Sequence, residues 1–216
     1  GSVLRPASYT GIVGTKPSFG RVSRYGVFPV AWSLDTMGWF TRSVKDSAIM
    51  MSILAVHDPK DPSSSITPKS DYLTPEMADK PAPRIGVLHQ MFEDLANVEV
   101  WANTEAAIEQ LRAAGATIRH VSVPTNFDTL LAAHRTIMSV EASTVHDPNF
   151  RTRRNDFGPK LRTLLESGTI ISGVSYLQAQ QVRRKFRREM ESAIRKFDVL
   201  LTPSTPTEAP RDLATT

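Results

Sequence analysis

A strand, helix and strand pattern in the middle of the chain restricts the fold more than any other feature of the sequence. Residues 84–88 (Arg-Ile-Gly-Val-Leu) predict a buried strand. Asn103 or Thr104 is expected to cap a helix that ends at Gly115, and residues 116–123 alternate as a second strand does. Short connections in such a unit imply a right-handed crossover, which leaves the two strands parallel. The chain is therefore predicted to have an α/β fold.

The flanking sequence divides the chain into three segments: residues 1–56, residues 57–83 and residues 84–216. The first segment begins with about 40 residues of irregular backbone and brief strands. A helix follows from the N-cap Ser43 through Ala55, and its wide apolar surface predicts that it is buried on more than one side. The second is a Pro- and Ser-rich connection. The third holds the strand-helix-strand unit, and further elements are predicted there: a helix at 126–146, a polar mixed stretch at 147–168, a long helix at 174–197 and a short buried strand at 198–202.

Composition and charge narrow the functional classes. The chain has 216 residues and no cysteine, which excludes disulfides, thiolate metal sites and a cysteine nucleophile within it. No window is apolar enough for a membrane span, and the cytoplasm is the default compartment. The net charge is +4, and basic side chains crowd residues 183–196. A solvated helix face is the preferred interpretation of that crowding, so nucleic acid is not the expected partner.

Chemistry is indicated by the first 46 residues. The motifs, in chain order, are Gly1-Ser2-Val3-Leu4-Arg5-Pro6, Gly14-Thr15-Lys16-Pro17-Ser18-Phe19-Gly20-Arg21-Val22-Ser23-Arg24-Tyr25-Gly26, Ser33-Leu34-Asp35-Thr36-Met37-Gly38 and Thr41-Arg42-Ser43-Val44-Lys45-Asp46. Together they resemble the amidase signature family. Stretches that recur in that family follow in the same order: Pro83–Val87, Glu141–Ser143, Tyr176–Ala179 and Phe197–Pro203. The resemblance therefore extends over nearly the whole chain.

The resemblance implies serine acyl transfer with Ser2 as the nucleophile. It also implies an oxyanion site made by the backbone N–H groups of Gly1 and Ser2. A terminal Gly-Ser pair is also what a cleaved expression tag leaves, but the spacing from Ser2 to Pro6, Gly14 and Gly20 matches the family. One departure is that Leu4 stands where the usual pattern has arginine, with Arg5 one residue later.

The family's catalytic lysine and its bridging serine precede the nucleophile serine, so the resemblance implies that both lie ahead of Gly1. Lys16 occupies a lysine position that the family does not use as the base, and we interpret Lys16 as structural. The implied fold is a mixed β-sheet layered between helices, of which this chain supplies a part truncated at both ends. The five histidines show no His-x-x-x-His spacing, and neither a metal nor a cofactor is expected.

The implied activity is hydrolysis of a small-molecule carboxylic amide to an acid and ammonia or an amine, with a homodimer as one expected assembly. One alternative is the A subunit of a tRNA-dependent glutamine amidotransferase. Residues 20–26 favour this alternative, whereas residues 31–40 differ from the sequence that is usual in that subunit. The other alternative is a non-catalytic interaction module that retains an amidase fold.

Overall fold

The structure is a computed structural model that describes residues 1–73 and 81–211. The described residues form two compact units. Unit 1 takes its residues from Gly1–Tyr25, Thr36–Ser122 and Ala193–Thr216, and unit 2 consists of Gly26–Asp35 and Val123–Ser192. The helices are α1 (Leu4–Thr10), α2 (Val44–Leu54), α3 (Gln90–Leu95), α4 (Val98–Ala113), α5 (Phe127–Thr152), α6 (Pro159–Ile170) and α7 (Gly173–Ile194), with a 3₁₀ turn at Arg154–Asp156. The strands are β1 (Val13–Thr15), β2 (Trp39–Thr41), β3 (Arg84–Leu88), β4 (Thr117–Val121) and β5 (Val199–Leu201).

A three-stranded parallel sheet with the order β4-β3-β5 organises unit 1. Ile85 of β3 lies opposite Ile118 of β4 and opposite Val199 of β5. This arrangement confirms the predicted α/β class and the parallel pair of strands. The central strand is buried from Ile85 to Leu88, whereas Val199 on the outer strand is 48% exposed. The prediction that the last strand is buried was therefore wrong, because β5 pairs on one side only within the described residues.

The crossover helix between the paired strands begins earlier than the sequence indicated. The side chain of Asn97 accepts a hydrogen bond from the backbone N–H of Val100 at 2.9 Å, which makes Asn97 the N-cap of α4. The predicted caps, Asn103 and Thr104, lie inside the helix. The predicted end is confirmed, since Gly115 adopts a φ of +98°, which glycine tolerates at the C-terminus of a helix.

The first 55 residues are more regular than predicted. Helix α1 was not expected, but Pro6 lies in its first turn, where the missing N–H of proline has no intrahelical partner to lose. The strands β1 and β2 form an antiparallel pair, and α2 follows them. The prediction that this helix is buried was wrong for the described residues, because Val44 is 75% exposed and Ile53 is 62% exposed. The predicted N-cap of α2 is confirmed, because the Ser43 hydroxyl accepts from the backbone N–H of Asp46 at 3.1 Å.

Unit 2 is built from helices. Helix α5 begins after the N-cap Asn126 and continues to Thr152, past the predicted end at 146. Helix α6 begins within the stretch interpreted as polar and mixed and ends two residues beyond it, and it crosses α5 at Gly168. Ala133 and Ile137 of α5 form a buried core with Ala179 of α7. Over residues 1–73 and 81–211, no helix is both long enough and apolar enough to cross a membrane.

Candidate active site

Ser2, the predicted nucleophile, lies in a turn directly ahead of α1 and is exposed. The turn passes into the helix without a break, because Arg5 N–H donates to the Gly1 carbonyl at 3.1 Å and Ala7 N–H donates to the Val3 carbonyl at 3.1 Å. Within the described ranges, the Ser2 hydroxyl makes no hydrogen bond. The structure therefore leaves the hydroxyl accessible, and none of the described residues is bonded to it as a base.

Two glycines of the sequence motifs hold the residue next to Ser2. A Cβ added at Gly14 would lie 2.6 Å from the Ala7 Cβ and 3.0 Å from the Val3 carbonyl oxygen. A Cβ added at Gly38 would lie 2.5 Å from the Thr15 carbonyl oxygen and 3.1 Å from Val3 Cγ2. Because both positions lack a side chain, β1 and β2 approach the Ser2 turn closely. The Gly14 and Gly38 motifs thus meet at the segment that carries Ser2.

The Lys16 side chain bonds the backbone of the residue that follows it. Its Nζ donates to the Pro17 carbonyl at 2.8 Å. The neighbouring Thr15 hydroxyl donates to the Ser47 hydroxyl at 2.9 Å, and Ser47 also bonds the Thr41 hydroxyl at 2.6 Å. These contacts tie β1, β2 and α2 together. They support the interpretation of the Lys16 motif as structural.

The run from Gly20 to Gly26 fixes the Pro- and Ser-rich connection. Arg21 is 9% exposed, and its guanidinium donates to the Thr67 carbonyl at 2.6 Å, the Pro68 carbonyl at 2.8 Å and the Tyr72 hydroxyl at 2.9 Å. Gly20 has a φ of +75°, and a Cβ there would lie 2.3 Å from the Ser63 carbonyl oxygen. The described part of the connection is therefore anchored to this motif.

Two aspartates complete that anchor. The Ser23 hydroxyl donates to Asp58 at 2.6 Å, and this bond lowers the pKa of the Asp58 carboxyl. Asp61 accepts from the Ser63 hydroxyl at 2.6 Å and from the Arg24 N–H at 2.8 Å, and the Ser63 bond is the main cause of the lowered pKa of Asp61. Both carboxylates accept hydrogen bonds within this segment and hold it against residues 23 and 24.

Unit 2 contains a buried polar network that sequence reasoning missed. The Glu141 carboxylate is fully buried, and it accepts from the Ser33 hydroxyl at 2.6 Å, the Ser33 N–H at 2.9 Å and the Tyr176 hydroxyl at 2.9 Å. Arg183 donates to the Ser33 hydroxyl at 2.7 Å and to the Ser33 carbonyl at 2.6 Å. Burial, followed by the bond to Glu141, raises the pKa of Tyr176.

This network joins three of the stretches that carried the family resemblance. Ser33 belongs to the Ser-Leu-Asp motif, Glu141 to the Glu-Ala-Ser motif and Tyr176 to the long helix. Each motif was readable in the sequence, but nothing in the local pattern indicated that their side chains meet. The network fixes the segment from Gly26 to Asp35 against α5 and α7.

A cavity of about 460 Å³ lies in unit 1 beside the C-terminal half of α1. Its lining includes Ser8 and Tyr9 of α1 and Asn103 of α4, together with residues 201–205 and 207–209, and it does not include Ser2. Glu208 also lines the cavity, and its hydrogen bond with Glu99 raises the pKa of Glu99 and lowers that of Glu208. In residues 1–73 and 81–211, no three His, Asp or Glu side chains gather in a way that could hold a metal ion.

Comparison with known proteins identifies the family. The family model described as Amidase matches residues 1–215. The chain belongs to the amidase signature family. Among curated relatives of this amidase-family chain, the A subunit of glutamyl-tRNA(Gln) amidotransferase from Halothermothrix orenii is 35% identical over 97% of this chain and 49% of its own length. The protein of the same description from Synechococcus elongatus is 36% identical over 97% of this chain and 48% of its own length.

Solved structures of other proteins agree with this family assignment. A structure from a vestigial protein complex, described as revealing the evolutionary origins of an s-triazine catabolic enzyme, has a TM-score of 0.86 and 32% identity over 96% of this chain and 44% of its own. A crystal structure of an amidase has a TM-score of 0.81 and 31% identity over 97% of this chain and 44% of its own. The chain thus spans about half the length of the relatives that it matches. These matches agree with the α/β class of the fold and with membership of the amidase signature family.

Proposed function

We propose that this protein hydrolyses a carboxylic amide through an acyl-enzyme on Ser2. The observation that carries the proposal is the family match beginning at residue 1, combined with an exposed Ser2 in the turn that leads into α1. The contacts of Gly14 and Gly38 with Val3 support it, because they fix the backbone beside the hydroxyl. Preorganised backbone of this kind is what acyl transfer requires.

In the proposed reaction the Ser2 oxygen attacks the amide carbon as a base removes the hydroxyl proton. The C–N bond then breaks, and the nitrogen leaves as ammonia or an amine after it receives that proton. Water attacks the resulting ester, which releases the acid and restores Ser2. The backbone N–H groups of Gly1 and Ser2 are the proposed donors to the oxyanion. The proposed base is a lysine acting through a second serine, both ahead of Gly1.

The test replaces the nucleophile in protein that includes sequence preceding Gly1. Ser2→Ala is expected to lower kcat for ammonia release from simple alkyl and aryl amides by at least ~10³-fold, because removal of a serine nucleophile costs this much or more. Ser18→Ala is the matched control, since Ser18 is also exposed and the structure gives its hydroxyl no bond within the described residues. The control should retain activity, and turnover by Ser2→Ala above one tenth of the parent would contradict the proposal.

A second candidate function is that of a protein that releases ammonia from glutamine beside a tRNA-binding partner. It is favoured by the curated relatives, which are 35% and 36% identical and are described as the A subunits of glutamyl-tRNA(Gln) amidotransferases. Glutaminase activity that increases when the partner subunits and tRNA are added would favour it over a free-standing amidase. Loss of Ser2 would abolish both activities, whereas a non-catalytic module would show neither. A homodimer and a cytoplasmic location stay predictions from the sequence.

A further inference from the structure

A second cavity, of about 560 Å³, lies on the parallel sheet of unit 1. Three parts of the chain line this cavity. They are the start of β3 with Arg84, the strand β4 with Thr117, Arg119 and His120, and the segment ahead of β5 with Lys196 and Phe197. None of the residues used for the proposed amide hydrolysis belongs to this lining. We call this cavity the basic trough.

A glycine at the centre of β3 allows Phe197, which lines the trough, to pack close to the sheet. Gly86 is the register partner of Arg119 on β4. A Cβ at Gly86 would lie 2.7 Å from Leu200 Cδ2 and 2.9 Å from Phe197 Cδ2, so the Phe197 ring packs directly against the glycine. Phe197 therefore lies close to the sheet, and the residue before it, Lys196, lines the same trough as Arg119.

The charged side chains that line the basic trough are all positive. Among the described residues that line the trough there is no carboxylate. Arg84 is neutralised by Asp198, which accepts from its guanidinium at 2.9 Å and from its backbone N–H at 2.8 Å. Arg119 and Lys196, in contrast, form neither an ion pair nor a hydrogen bond through their side chains with any described residue. Two uncompensated cations in one concave site raise the local concentration of anions.

The remaining polar groups of the trough are donors or can act as donors. Thr117 lies on the same face of β4 as Arg119 and carries a hydroxyl. His120 alternates to the opposite face, where its ring lies 4.1 Å, centre to centre, from the ring of His89. A ligand with several acceptor oxygens and more than one negative charge fits this set best.

We propose that the basic trough binds a phosphate group, with Arg119 and Lys196 as the charged contacts. The group comes either from free phosphate or from a phosphomonoester. A carboxylate would carry one charge and two acceptor oxygens, which leaves part of this donor set unused.

The experiment titrates the protein with inorganic phosphate and, separately, with phenyl phosphate, at constant ionic strength in chloride, by isothermal calorimetry. Saturable binding of at least one probe is expected. Binding of inorganic phosphate identifies the free ion as a source, and binding of phenyl phosphate alone identifies a monoester. Acetate should fail to compete at equal concentration. Absence of saturable binding of both probes, or competition by acetate as strong as that of phosphate, would overturn the proposal.

Single substitutions test whether phosphate binds at the basic trough. Arg119→Gln and Lys196→Gln should each weaken binding by about tenfold or more, as expected for the loss of a charge-assisted contact. Arg188→Gln removes the same charge from an exposed position outside the trough and should change binding by less than twofold. An unchanged urea midpoint shows that each variant is folded. Equal weakening in Arg119→Gln and Arg188→Gln would show a nonspecific charge effect and would refute the assignment.

Discussion

The crossing of α5 and α6 gives a sharp prediction for Gly168. A Cβ at this position would lie 2.0 Å from the Ser139 carbonyl oxygen and 2.1 Å from Ser143 Oγ. An ordinary C···O separation is about 3.3 Å, so Gly168→Ala must push the two helices apart by more than an ångström. The hydroxyl of Ser143 cannot rotate away freely, because it donates to the carbonyls of Ser139 at 2.8 Å and Leu165 at 2.6 Å.

Two effects of opposite sign decide the magnitude of Gly168→Ala. Alanine favours a helix over glycine by about 1 kcal/mol, whereas overpacking a tight contact costs typically 1–3 kcal/mol and sometimes more. The contact is with backbone, which cannot yield as a flexible side chain does, so the clash is expected to win by about 2 kcal/mol. With a urea m-value of about 2 kcal/mol/M, the unfolding midpoint should fall by about 1 M.

The matched control for this prediction is Gly173→Ala. Gly173 is the first residue of α7, and a Cβ there would meet no atom within 4 Å. Its urea midpoint should stay level or rise slightly. A Gly168→Ala variant with the parent's midpoint or a higher one would refute the reasoning, because the helix crossing would then not depend on the missing side chain.

Three further predictions concern stability and pH. Glu141→Gln should destabilise the protein by about 3 kcal/mol in urea unfolding, because the new amide N–H₂ would point at hydrogen-bond donors in a buried site. Glu191→Gln, at an exposed position of the same unit, should cost less than about 0.5 kcal/mol. Gly20→Ala should cost about 1–3 kcal/mol, because its φ is +75° and a Cβ would lie 2.3 Å from a backbone carbonyl oxygen; an unchanged melting temperature would argue against this. The pair with Arg84 lowers the pKa of Asp198 from 3.8 to about 2, so its stabilising effect is present above pH 4 and is lost as the pH falls towards 2. Asp198→Asn should therefore flatten the acid limb of the stability curve in that range, and an identical limb in both proteins would contradict the assignment.

Local patterns predicted the elements whose signals lie within a few residues. The cap of α2 depends on Ser43 and Asp46, which are three residues apart, and the end of α4 depends on Gly115 alone. The start of α4 was misplaced because Asn97 and Asn103 are equally good cap residues in the sequence. Only the structure shows that Asn97 accepts the bond from Val100.

Long-range contacts explain most of what the sequence could not supply. Glu141 lies inside a helix, where glutamate is usually solvated, and its burial depends on Ser33, which is 108 residues away in the chain. Arg21 is likewise fixed by Tyr72, 51 residues away. Both partners are too far away in the chain for a pattern of neighbouring residues to reveal the contact. The assignment of Ser2 as the nucleophile stays a prediction, made from the motifs of the first 46 residues that resemble the family.

The most direct test of the account is covalent labelling of the nucleophile. Protein that includes sequence preceding Gly1 is treated with a fluorophosphonate, which phosphonylates activated serines, and is then digested and examined by mass spectrometry. The account predicts one phosphonyl group on the peptide that contains Ser2, its loss in Ser2→Ala and its retention in Ser18→Ala, in parallel with amide hydrolysis. Labelling at another residue, or full hydrolytic activity after Ser2 is blocked, would contradict it.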